Sequence, residues 1–193
     1  DDLIDARSES RSHISSDVAF GEDIDIPDDL VASEALTFPH PKHHAAIIKM
    51  KTGAKKDGTL VAHEVEIYGD GGAYASLSNH VMLRATTHAA GPYEAPNARV
   101  DTYAMYTNNV PAGAFRGFGV TQSAFAMESQ MDLLAEALGI TPLEIRRKNV
   151  LDYGKKTLAG QVLTESCGLP QCLEMVAAEM EKRVSICTIL ARM

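Results

Sequence analysis

Cysteine is scarce in this 193-residue chain, and its placement excludes more than it offers. Cys167, Cys172 and Cys187 form no C-x-x-C pair, whereas an iron–sulfur centre held by the chain's own ligands needs four clustered thiolates. An odd count of thiols in an acidic chain points to reduced cysteine and not to a disulfide frame. Long apolar runs are missing too: nothing approaches the roughly 20 residues of a membrane-spanning helix. The opening, Asp1-Asp2-Leu3-Ile4-Asp5, has no basic or apolar signal region, so no secretory leader is expected and the cytoplasm is the expected location. A basic face is also lacking. With a net charge of −8, nucleic acid is disfavoured as a partner, because phosphate contacts need clustered Lys and Arg.

That negative charge is concentrated at one end. Residues 1–34 hold eleven acidic side chains, among them Asp23, Asp25, Asp28 and Asp29, against Arg7 and Arg11. The body is therefore close to neutral, and residues 1–36 read as an irregular, solvated acidic leader. Turn signals at Gly21-Glu22-Asp23 and Ile26-Pro27-Asp28-Asp29 break any periodicity there.

What is present after Thr37-Phe38-Pro39 is patterned. Residues 44–51 read as a strand, Asp57-Gly58 as a hairpin turn, and Leu60–Tyr68 as a second, alternating strand. Residues 73–96 give no assignment, and Val100–Tyr106 reads as a third strand. Ala124, Met127, Met131, Leu134 and Leu138 recur at three-and-four spacing, which predicts a helix capped by Thr121 and stopped by Gly139. Thr141-Pro142-Leu143-Glu144 is a capping box opening a short helix to about Asn149. A third helix is expected over Pro170–Arg183 with Cys172, Leu173, Val176, Ala177 and Met180 inward, followed by an apolar tail over 184–193. Strands first and helices later predict an α+β fold, a β-hairpin or small sheet followed by packed helices, with 37–183 as its folded part.

The most informative segment is Gly113-Ala114-Phe115-Arg116-Gly117-Phe118-Gly119. Three glycines before a helix describe backbone that can approach a ligand and offer N–H groups to it. No Lys-Ser/Thr follows, so it is no P-loop, and the G-x-x-x-G-x-G order is not a dinucleotide fingerprint. A tight loop with purely conformational glycines is the alternative. Other groups invite chemistry less strongly. His40, His43 and His44 form an H-x-x-H-H cluster with no cysteine or carboxylate beside it, and no metal site is expected. His63, His80 and His88 are isolated. Among Asp70, Glu128 and Asp132, Glu128 borders the apolar stripe, and a buried carboxylate satisfied by loop amides is expected there in preference to a base.

The run Ala114–Gly119, preceded by Thr107-Asn108-Asn109 and followed by Gln122 and Glu128, is similar to the signature loop of the xanthine dehydrogenase/aldehyde oxidase family. The resemblance spans most of residues 44–180. It includes Lys51-Thr52-Gly53-Ala54, Asp57-Gly58-Thr59, Gly71-Gly72-Ala73-Tyr74, Gly91-Pro92-Tyr93 and Glu144-Ile145-Arg146-Arg147-Lys148-Asn149. It implies a fragment of a molybdenum-binding subunit, with part of a molybdopterin-binding domain.

By that resemblance, the amides around Ala114, Phe115, Arg116, Gly117 and Gly119 would lie against a molybdenum–pterin cofactor, molybdopterin or its cytosine dinucleotide. No side chain need ligate the metal. Phe118 would stack on a flat substrate, where core packing is its other use. Arg84, otherwise an ordinary surface or ion-paired arginine, would stabilise negative charge building on the substrate. The implied parent reaction is oxidative hydroxylation of a purine, aldehyde or N-heterocycle with water as oxygen source. Its electrons would leave through iron–sulfur clusters and FAD in partner domains or subunits. Two family segments have no counterpart here: a Gly-Gly-Phe-Gly-Gly-Lys loop and a Gly-Glu-Pro segment carrying the glutamate base. The chain alone is therefore expected to be inactive and to need the remaining molybdenum-subunit segments. The competing expectation is a non-catalytic folded fragment that self-associates through an exposed apolar face.

Overall fold

The computed structural model describes residues 3–4 and 43–190. Its strands are β1 (Leu3–Ile4), β2 (Ala46–Lys55), β3 (Leu60–Asp70) and β4 (Asn97–Met105). Its helices are α1 (Ser78–Thr87), α2 (Val120–Leu138), α3 (Pro142–Asn149) and α4 (Leu169–Leu190). The sheet order is β1-β2-β3-β4. The fold is α+β, as the sequence predicts, with α1 and α2 packed against the sheet.

β2 and β3 form the predicted antiparallel hairpin, turning at Lys55–Gly58, where Gly58 has φ 87°. Alternation decides the faces. His63, Val65, Ile67 and Gly69 of β3 are buried, while Lys49–Glu66 and Lys51–Glu64 pair on the open side. Two expectations need correction. Leu3–Ile4, read within an irregular leader, pair with Lys55 and Ala54 as a short edge strand; the rest of residues 1–36 lies outside the described residues. The helices do not all follow the strands either. β4 runs parallel to β3, so the chain must cross over between them, and α1 is that crossover.

Two apolar clusters form the core. Ile48, Val65 and Ile67 of the sheet meet Val81, Met82 and Ala85 of α1, with Ala126 of α2. Met127, Met131 and Leu134 of α2 meet Ala54, Leu60, Tyr93 and Ile145. The predicted stripe of α2 is buried at Met127, Met131 and Leu134 and partly buried at Leu138. Its N-cap, however, is Gly119 in a left-handed conformation. Thr121 lies inside the first turn, where its hydroxyl bonds the Gln122 side chain. Gly139 ends the helix at φ 68°, as expected.

α3 has both halves of its capping box. Its motif is consumed internally. Ile145 is fully buried, and Arg147 pairs bidentately with Glu174. Asn149 accepts from Leu60 N–H and donates to the Gly58 and Ile145 carbonyls. α4 departs most from expectation. It continues past Arg183 to Leu190, and of its predicted inward residues only Ala177 is buried, while Val176 and Met180 are 62% and 58% exposed. No helix among the described residues is long and apolar enough to cross a membrane.

Candidate functional site

The Ala114–Gly119 loop links the end of the sheet to α2. Gly117, Phe118 and Gly119 are all left-handed, with φ of 92°, 49° and 95°. Left-handed backbone disfavours any residue with a Cβ, so Phe118 carries strain that its surroundings must offset. They do, because the Phe118 ring packs partly buried on the sheet–α1 cluster. Gly119 is obligatory for a second reason. A Cβ there would sit 2.2 Å from the Val81 carbonyl oxygen and 3.2 Å from the Ala85 nitrogen of α1. The loop is thereby pressed onto the last turns of α1.

The amides of Phe118 and Val120 close turns onto Phe115 O and Gly117 O. Those of Phe115, Arg116 and Gly117 find no backbone acceptor among the described residues, and all three residues are exposed. The Arg116 side chain likewise has no ion pair among the described residues. Phe115 meets the edge of the His43 ring at 4.4 Å between centroids. N–H groups and a guanidinium without partners among the described residues, beside a helix N-terminus, form a surface suited to an anionic ligand.

Arg84 stands in the last turn of α1, one residue before Ala85, exposed and without an ion pair among the described residues. It therefore lies on the helical turn that Gly119 touches. Sequence patterning assigns nothing over residues 73–96, so it carries no sign of this juxtaposition. Helix α1 has no side-chain N-cap bond, and Ser78 instead meets the buried His44, Oγ to Nε2 at 2.7 Å. His44 Nδ1 has no partner among the described residues, and burial pushes its pKa below the usual histidine value. His40 lies outside the described residues.

The nominated carboxylates have internal employment. Glu128 is not satisfied by loop amides. It accepts from the Tyr93 hydroxyl at 2.8 and 2.9 Å and from Arg146 Nε at 2.9 Å. Asp132 takes the same guanidinium at 2.7 Å. Burial, then the bond to the carboxylate, raises the Tyr93 pKa, so its proton stays on the phenol. Asp70 receives Gly72 N–H and the side chains of Thr107 and Asn109. A cleft of about 690 Å³ opens elsewhere, between Lys51, Gly53, Glu64 and Arg99 at the sheet's far end, and includes none of the predicted site residues.

The glycine loop, packed on the sheet and α1, thus leaves the amides of Phe115–Gly117 without a backbone acceptor among the described residues. A family model described as the molybdopterin cofactor-binding domain matches residues 33–150, more than half of the chain. The chain belongs to that family. It is 50% identical over 141 residues to the nicotinate dehydrogenase large molybdopterin subunit of Eubacterium barkeri, covering 73% of this chain and 33% of that one. It is also 40% identical over 129 residues to the aldehyde oxidoreductase of Megalodesulfovibrio gigas, covering 67% and 14%. The aldehyde oxidoreductase structure from Desulfovibrio gigas superposes with a TM-score of 0.71 at 37% identity, covering 74% of this chain and 16% of that one. The chain thus spans a third or less of the length of these relatives.

Proposed function

We propose that this chain supplies part of the molybdopterin-binding wall and part of the substrate pocket of a molybdenum hydroxylase acting on a purine, aldehyde or N-heterocycle. The observation that carries the proposal is the exposed loop: the amides of Phe115–Gly117 and the Arg116 side chain have no partner among the described residues, and Gly119 fixes the loop against α1. These donors suit the phosphate and pterin edges of such a cofactor, so the residues present fit the group. Ala114, Phe115, Arg116, Gly117 and Gly119 would hold it, and when bound it would supply the oxidation–reduction chemistry.

The chain's own residues have separate tasks. Arg84 would offer a fixed positive charge where the substrate gains electron density. Phe118 would present a ring to the substrate only along the edge not packed on the core. Iron–sulfur and FAD-bearing partners would carry the electrons away, and a cytoplasmic location suits such an assembly. Glu128 and Asp132 are committed to Arg146, and the Gly-Glu-Pro segment that carries the family's glutamate base has no counterpart in the sequence. We therefore expect no turnover from the chain by itself.

The test is co-expression with and without the remaining molybdenum-subunit segments, followed by metal analysis and pterin fluorescence. Retention of both only in the assembled protein supports the reading. Their absence from the assembled protein contradicts it. A second reading, self-association as a non-catalytic fragment, is favoured by the exposed Met175, Val176 and Met180 of α4. Sedimentation that shows a monomer at high concentration would remove it.

A further inference from the structure

Residues 106–111, which follow β4, lie in no helix or strand, and Ala112 carries an isolated bridge. The segment is tied to the turn after β3. Gly71 N–H donates to Met105 O at 2.8 Å, and Ala112 N–H returns to Gly71 O at 3.1 Å. Thr107 N–H reaches Gly72 O at 3.1 Å, and Ala73 N–H reaches Asn109 O at 3.0 Å. The two backbones lie so close that a Cβ on Gly72 would fall 2.5 Å from Val110 O. Two irregular segments thus brace each other just beyond the ends of β3 and β4, where a side-chain link can fix their relative position.

Asp70 provides that link. It is the last residue of β3, and its own N–H is bonded to Ala45 O at 2.8 Å. One carboxylate oxygen accepts Gly72 N–H at 2.9 Å and the Thr107 hydroxyl. The other accepts the Asn109 side-chain amide. A carboxylate accepts at several lone pairs and binds donors more strongly when ionised, so one side chain can join three partners. The group stays ionised: burial works against it, but the Thr107, Asn109 and Gly72 donors prevail and lower its pKa.

We propose that Asp70 is the positioning residue of the Ala114–Gly119 loop, joining the end of the central strand to the segment from which that loop emerges. The proposal deepens the cofactor-wall reading and rests on it for its meaning, but its test needs no cofactor. A purely local role, closing the turn onto Gly72, is the competing account.

The experiment is residue-resolved amide hydrogen exchange on the full chain without cofactor. Asp70→Ala is expected to speed exchange at Thr107, Ala112, Phe118 and Val120 by roughly tenfold or more, with the β2–β3 ladder and α3 changing less than about twofold. Asp70→Asn keeps an oxygen for Gly72 and Thr107, and Asn109 can turn its own amide oxygen to the new NH2 group. It should therefore stay within roughly threefold of the native chain at the same four amides. An effect confined to Gly71–Ala73, a uniform rise at all amides, or equal damage from Asn and Ala would overturn the proposal.

Should Asp70→Ala fail to fold, Asn109→Ala removes a single exposed donor and is expected to reproduce the pattern more weakly. No change at Phe118 and Val120 in that variant also overturns it. Pterin retention by the assembled protein is read separately. A loop loosened by Asp70→Ala in a protein that never retains pterin would refute the cofactor reading and leave the positioning role standing.

Discussion

Two motifs in this chain carry the family resemblance, and the structure uses them in opposite ways. In Glu144–Asn149 nearly every side chain is engaged within the chain. Glu144 closes the capping box, Ile145 fills the core, Arg146 joins Glu128 and Asp132, and Asn149 clamps the hairpin turn. In Ala114–Gly119 the amides of Phe115–Gly117 and the Arg116 side chain are left open among the described residues, while glycines and a strained Phe118 hold the shape. A motif whose groups are consumed internally specifies the fold. A motif whose polar groups are left open on a fixed backbone is the one we propose meets a ligand.

That contrast is breakable by mutation. Ile145→Ala should be the most damaging change, costing about 2–5 kcal/mol of unfolding free energy in denaturant titration, because it empties a fully buried site. Asn149→Ala strands the Leu60 N–H and the Gly58 carbonyl and should cost about 2–3 kcal/mol by the same assay. If either behaves as a neutral surface change, α3 is not the structural element described.

Gly119→Ala introduces both a left-handed strain and a backbone collision, and about 2–3 kcal/mol is expected. Gly154→Ala is the matched control, since Gly154 also has positive φ but open space around it; about 1 kcal/mol is expected. Equal costs would mean that the contact with α1 contributes nothing. Arg116→Ala should change unfolding free energy by no more than about 0.5 kcal/mol, as an exposed residue without an ion pair among the described residues. A large loss of stability would move Arg116 from the ligand side of the comparison to the structural side.

A pH titration separates core from loop in another way. Burial lowers the pKa of His63, which is enclosed between Thr52 and the Ala89 carbonyl. A depressed folded value means that the unfolded chain binds the proton more readily. His63 therefore favours folding fully above its ordinary value near 6.5 and loses that contribution as pH falls through the lower folded value. Thermal midpoints should fall from about pH 7 to about pH 5, and His63→Gln should flatten that slope. An unchanged slope would contradict the burial.

Much of the fold is legible because its signals are local. Asp57-Gly58 marks a turn, Thr141–Glu144 a cap, Gly139 a stop, and the methionines of α2 a helical stripe. Helix α1 is not legible. It begins at Ser78, where Leu77 supplies no side-chain cap, and carries Thr86 and Thr87 at its end, and its N-terminus is secured by His44, distant in sequence. The parallel register of β3 and β4 is also nonlocal. The candidate site divides the same way. The glycine loop is visible in the sequence, whereas the packing of Gly119 on the turn bearing Arg84, and the bracing of the loop by Asp70, exist only after folding. The exposed face of α4 shows the reverse failure: apolar spacing predicts burial that the described residues do not provide.

The central claim is that this loop is one wall of a molybdopterin site that the chain alone does not complete. Pterin and molybdenum content, measured on the chain by itself and on the chain assembled with the remaining subunit segments, tests it directly. The account predicts retention only in the assembled protein, reduced there by Arg116→Ala and Gly119→Ala. Oxidation of hypoxanthine or an aromatic aldehyde by the isolated chain with an artificial electron acceptor would contradict it.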